Sequence, residues 1–88
     1  MKKKVALVLG GNGGIGSSAV KRLVQDGFHV CATFHKNRDQ IDKIKASLNV
    51  DNLTEYKCNA LNGVELNKTI NDIISNFGEI DVFVISLT

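Results

Sequence analysis

The sequence predicts an α/β fold in which a parallel sheet, built by right-handed strand–helix–strand crossovers, takes the order 3-2-1-4 and carries helices on both faces. Three observations predict it. Short β-rich runs alternate along the chain with segments of helical periodicity. The first and last of those runs are nearly continuously apolar, as strands buried on both faces are. A glycine cluster occupies the first strand-to-helix junction.

The first strand is Lys4-Val5-Ala6-Leu7-Val8-Leu9. Glycines then run from Gly10 to Gly16, and Ile15, Ala19, Val20, Leu23 and Val24 recur at helical spacing until Gly27, where a C-terminal cap is expected. Phe28 to Phe34 forms the second strand. Ile41, Ile44 and Leu48 mark a short polar helix that Asn49 to Asn52 breaks. Leu53 to Cys58 is assigned as the third strand mainly because the crossover pattern needs one there. Asn62 followed by Glu65 has the form of a capping box, and it opens a helix with Leu66, Ile70, Ile73, Ile74 and Phe77 on one face until Gly78. The fourth strand is Ile80 to Leu87, at an open edge of the sheet.

Composition narrows the function classes. The chain has 88 residues, enough for one small domain, and is 43% hydrophobic and 23% charged, an ordinary globular balance. Eleven basic and nine acidic residues are scattered, which argues against a nucleic-acid footprint. The apolar run after Met1-Lys2-Lys3-Lys4 is too short for a signal peptide, and no stretch approaches the ~18 apolar residues of a membrane span. The expectation is a soluble, cytoplasmic protein with no membrane partner. Cys31 and Cys58, without metal-ligand spacing, read as buried reduced thiols.

A turn between a buried strand and a helix needs glycine for its bend, for close approach of a pyrophosphate to bare backbone, and for close packing of helix on strand. The helix N-terminus offers unpaired N–H groups and partial positive charge to phosphates. Gly10-Gly11-Asn12-Gly13-Gly14-Ile15-Gly16 has that context and predicts a Rossmann-type dinucleotide site. Its spacing fits GxGxxG (Gly11, Gly13, Gly16), GxxGxxG (Gly10, Gly13, Gly16) and GxxxGxG (Gly10, Gly14, Gly16) equally.

NAD-preferring sites usually carry an acid at the end of the second strand. Here that stretch reads Thr33-Phe34-His35-Lys36-Asn37-Arg38, with no acid before Asp39. The basic side chains of His35, Lys36 and Arg38 could pair with a 2′-phosphate. At about 0–1 kcal/mol for each exposed pair, two or three would favour NADP over NAD by roughly tenfold to a few hundredfold.

Over its whole length the chain resembles the short-chain dehydrogenase/reductase family, and most of all its bacterial 3-oxoacyl-[acyl-carrier-protein] reductases. The residues that carry the likeness are Gly10, Gly14-Ile15-Gly16, Cys58-Asn59-Ala60 and Phe77-Gly78-Glu79-Ile80-Asp81-Val82-Phe83-Val84. The resemblance favours the GxxxGxG alignment. It implies that Gly10, Gly11, Asn12, Gly13, Gly14, Ile15 and Gly16 wrap the pyrophosphate, that His35 and Lys36 face the adenosine 2′-phosphate, and that Asn59 and Ala60 flank the adenine. Ser86 stands in the Asn-rich segment that shapes the family's cofactor site.

It further implies an NADPH-dependent reductase of a small-molecule carbonyl, or of a 3-oxoacyl thioester, that is a homo-oligomer at full length. The family's catalytic Ser-Tyr-Lys set would lie beyond Thr88. Residues 1–88 are therefore expected to be the cofactor-binding half of the domain, inactive alone, with no catalytic and no metal-binding residue.

Two departures from the family pattern stand out. Leu9 replaces the Thr usual before the first glycine, and Ile85-Ser86-Leu87-Thr88 replaces Asn-Asn-Ala-Gly. They support a second reading, a non-catalytic nucleotide-binding or regulatory module.

Overall fold

The computed structural model describes residues 3–11, 14–48 and 51–86. The strands are β1 (Val5–Leu9), β2 (His29–Phe34), β3 (Leu53–Lys57) and β4 (Val82–Ile85), and the helices are α1 (Gly14–Gln25), α2 (Asp39–Leu48) and α3 (Gly63–Phe77). All strand pairs are parallel and the order is β3-β2-β1-β4, as the alternation of strand and helix requires. The strands begin one residue later in β1 and β2 and two later in β4 than the runs read from the sequence, and β3 ends one residue earlier, although Cys58 still donates its N–H to the Phe34 carbonyl (2.8 Å).

Every residue of β1 is buried, since it lies between two strands and beneath helices on both faces. Its alternate side chains feed two separate cores. Ala6 and Val8 join Val20 and Val24 of α1, Ile41 and Ile44 of α2, and Val30, Ala32 and Leu53 from the neighbouring strands. Val5, Leu7 and Leu9 join Cys31 and Ile73, with Leu66, Ile70 and Phe77 of α3 packed against them. One face thus has two helices and the other has one.

The helix ends explain where the chain turns back. After α1, the Gly27 N–H donates to the Val24 carbonyl (3.1 Å) and the Phe28 N–H to the Leu23 carbonyl (3.1 Å), a Schellman arrangement with Gly27 at a φ of 92°. Leu23 and Phe28 both pack on the core beneath that turn. Asn52, buried just before β3, donates from Nδ2 to the Phe28 carbonyl (2.7 Å) and the Val24 carbonyl (3.3 Å), tying the same turn to the β3 side of the sheet. At α3 the Asn62 side-chain oxygen accepts from the Val64 and Glu65 N–H groups, as a cap should.

The reciprocal half of the expected capping box is different. Glu65 Oε1 accepts from the Asn59 N–H (3.3 Å), three residues before the cap, because the chain curls back there in an Asn59 turn. Two apolar positions also depart from expectation. Ile74 is 44% exposed, because one step beyond Ile73 turns the side chain about 100° away from the sheet. Ile15, expected in the core stripe of α1, is 71% exposed in its first turn. Cys31 and Cys58 are free and buried as expected, and among the described residues no helix is long and apolar enough to cross a membrane.

Candidate functional site

Parallel strands place all their carboxyl ends on one edge, where open α/β sheets bind ligands. Gly10 and Gly11 follow β1 there, His35 and Lys36 follow β2, Asn59 and Ala60 follow β3, and Ser86 follows β4. The topology therefore gathers every described residue of the predicted site onto one edge. Asn12 and Gly13, also predicted, lie outside the described residues.

The glycine turn is held by a residue the sequence reading did not single out. Thr33, 1% exposed near the end of β2, accepts the Gly10 N–H at its hydroxyl (3.0 Å) and the Gly11 N–H at its carbonyl (3.0 Å). The signal was available, because Thr33 is a hydroxyl within a β-rich run that burial would oblige to find a partner. The N–H groups of Gly10 and Gly11 are thus both fixed to β2 at the point where the chain leaves β1.

Each glycine meets a different neighbour. Gly10 has a φ of 83°, a conformation few other residues adopt. A Cβ on Gly16 would lie 2.0 Å from the Gly10 carbonyl oxygen, and one on Gly11 would lie 2.9 Å from the Ala32 Cβ. These positions bring turn, helix and strand into contact. Gly14 differs, since a Cβ there would meet nothing within 4 Å, so the first residue of α1 faces open space. Ile15 beside it is exposed as well. An α-helix N-terminus with open backbone around its first residue suits an anionic group.

At the other corners the geometry qualifies what the sequence implied. His35 and Lys36 are exposed, and neither has an ion pair among the described residues. Arg38 is already engaged. Its guanidinium contacts Asp42 (3.1 Å) and Glu55 (2.8 Å), and these two carboxylates hold its pKa above the usual arginine value. The Asn59 side-chain oxygen accepts the Leu61 N–H (3.1 Å), so a bond to an adenine amino group would use its second lone pair. Ser86 is 8% exposed and its N–H donates to the Leu9 carbonyl (2.9 Å), which sets it beside the glycine turn. Its buried Oγ has no hydrogen-bond partner among the described residues, an orphan that natural structures rarely leave without a role.

Asp81, carried by the resemblance but given no role there, closes the opposite end of the sheet. It accepts the Val5 N–H at its carboxylate and donates its own N–H to the Val5 carbonyl, both at 2.8 Å. A shallow cleft of about 310 Å³ begins at Ser17 and Ser18 and runs between α1 and α2, bordering the candidate site without including any of its predicted residues. Among the described residues no group of side chains could hold a metal ion.

Comparison with known proteins agrees with this architecture. Residues 4–86 match the family described as short chain dehydrogenase. The chain is 28% identical over 83 residues to the 3-oxoacyl-[acyl-carrier-protein] reductase FabG of Staphylococcus epidermidis, covering 92% of this chain and 34% of that one. It is 27% identical over 89 residues to an NADP-dependent mannitol dehydrogenase of Alternaria alternata, covering 96% of this chain and 34% of that protein. Among solved structures, a short-chain dehydrogenase/reductase from Serratia marcescens superposes with a TM-score of 0.84 at 28% identity, over 97% of this chain and 36% of the other. The chain spans about a third of the length of these curated relatives.

Proposed function

Because the chain belongs to the short-chain dehydrogenases, we propose that residues 1–88 form the dinucleotide-binding half of an NADP(H)-dependent oxidoreductase that reduces a carbonyl to a hydroxyl. The observation that carries this reading is the glycine turn, pinned to Thr33 on one side and open at Gly14 on the other. It supplies what a pyrophosphate needs, with open space at Gly14 and α1's N-terminal N–H groups to receive it.

The residues present fit a nicotinamide dinucleotide. Gly10, Gly11, Gly14, Ile15 and Gly16, with Asn12 and Gly13, would wrap the pyrophosphate, and the Ser86 hydroxyl would lose its orphan status on a cofactor oxygen at the end of β4. Asn59 and Ala60 would border the adenine. His35 and Lys36, exposed at the end of β2 with no carboxylate before Asp39, favour the 2′-phosphorylated cofactor. When bound, the nicotinamide supplies hydride transfer, and the protein's part is orientation and electrostatics. The matched relatives are named for 3-oxoacyl-[acyl-carrier-protein] and for mannitol, so a small carbonyl substrate or an acyl thioester is the class to assay first.

Calorimetric titration of the full-length chain with NADPH and NADH, followed by an assay of NADPH oxidation with several ketones as hydride acceptors, tests the reading. NADPH should bind more tightly, and Lys36→Asp should shift the ratio of affinities towards NADH by about tenfold. An unchanged ratio would mean that Lys36 is merely solvated, and binding without turnover on any ketone would point to a non-catalytic module.

A further inference from the structure

Arg38 is one of three basic residues in the segment between β2 and α2, where the ribose end of a dinucleotide lies in this class of sheet, yet its side chain is committed elsewhere. Its Nε is 3.1 Å from Asp42 Oδ1, one helical turn along α2, and its Nη2 is 2.8 Å from Glu55 Oε1 on β3. The Phe34 ring lies below, 5.3 Å from the guanidinium carbon. Glu55 uses its second oxygen for Lys45 Nζ at 2.9 Å. The four groups Arg38, Lys45, Asp42 and Glu55 sum to no net charge, and the two carboxylates engage Nε and Nη2, the side-on fork of the guanidinium, and hold its plane against α2 and β3.

Glu55 is suited to this task. Burial alone would raise its carboxyl pKa, but the hydrogen bond and charge of Lys45, with Arg38, outweigh that and hold it below the usual value, so it stays ionised at neutral pH. Its side chain is 21% exposed against 44% for Arg38, so Glu55 is the more fixed member and Arg38 the one that must come to it.

We propose that Glu55 and Asp42 act as specificity determinants by restraint: they hold Arg38 away from the 2′-phosphate, leaving discrimination between NADP and NAD to His35 and Lys36. This rests on the dinucleotide reading of the site. It makes the cofactor preference weaker than three uncommitted basic residues in this segment would give.

The ratio of dissociation constants for NADH and NADPH, measured by calorimetry on the full-length chain, tests it in four forms: unsubstituted, Arg38→Met, Asp42→Asn/Glu55→Gln, and the triple variant. Arg38→Met should leave the ratio within about twofold, because an arginine that does not read the phosphate is not missed. Removing both carboxylates should raise the ratio by up to about fivefold through the released guanidinium, one exposed ion pair's worth. Adding Arg38→Met to that double variant should return the ratio to its starting value.

A fall of fivefold with Arg38→Met alone would overturn the inference, since Arg38 would already be reading the phosphate. No rise in the double variant would overturn it too. So would a rise that persists in the triple variant, which would come from the lost negative charge rather than from Arg38. If the unsubstituted chain binds neither dinucleotide, the reading of the site falls and takes the inference with it, an outcome distinct from the other three.

Discussion

Gly14 and Gly16 sit two residues apart at the same helix start, and the space around them assigns them opposite sensitivities. A methyl group on Gly16 would press to 2.0 Å from backbone that Thr33 holds in place, so Gly16→Ala should cost about 1–3 kcal/mol or more, as overpacking does. Gly14 has nothing near it, so Gly14→Val should fold and melt close to the unsubstituted chain while losing dinucleotide binding, because the branched side chain fills the space the pyrophosphate needs. Urea midpoints and calorimetric titration separate the two effects. Retained binding in a folded Gly14→Val variant would remove the glycine turn from the site. Their difference was not legible in a run of five glycines among seven residues, since what distinguishes them is the Gly10 carbonyl folded back over Gly16.

At the scale of elements, those that local pattern determines were legible, and what depends on contacts across the sheet was not. Gly27 and Gly78 end α1 and α3 at positive φ, where apolar periodicity followed by glycine said they would. Ile15 has the spacing of a core residue, but it occupies the first turn of α1, at the carboxyl ends of the strands, and is exposed there. Arg38 reads as one more free cation until Glu55, 17 residues later on β3, is folded against it.

The first residue of β2 shows the same dependence. His29 donates to or accepts from Thr54 Oγ1 at 3.0 Å and lies 4.3 Å from the Phe77 ring, linking β2, β3 and α3. Burial, aided by repulsion from Lys3, lowers its pKa below 6.5, so the folded chain binds fewer protons here than the unfolded one. This contribution to stability is present above about pH 6.5 and declines as pH falls through the folded-state value. Urea midpoints should therefore drop between pH 7.5 and 5.5, and His29→Gln should flatten that part of the profile. An equal drop in the variant would exonerate His29. Asn62 is a cleaner case, where Asn62→Ala should cost about 1 kcal/mol at any neutral pH by freeing the Val64 and Glu65 N–H groups.

The asymmetry of the whole molecule follows from its order of elements. With α1 and α2 on one face and α3 on the other, β4 packs Val82 and Val84 against the first core but leaves Phe83 at 46% and Ile85 at 65% exposure on the second face. Beyond them runs the open edge of β4, whose other side pairs with β1 through Leu7↔Phe83 and Leu9↔Ile85. Apolar side chains beside unpaired backbone groups form a surface that soluble monomers seldom present. Residues 1–88 produced as an isolated segment should therefore self-associate or melt without a sharp transition, and should not reduce ketones. Sedimentation and thermal melting provide the measurement. A variant carrying Phe83→Lys and Ile85→Lys, which places charge on the edge strand, should sediment as a smaller species if that surface is the cause. A monodisperse, cooperatively melting monomer of the unsubstituted segment would show that one helix over this face is enough, and ketone reduction by it would place the catalytic groups within residues 1–88.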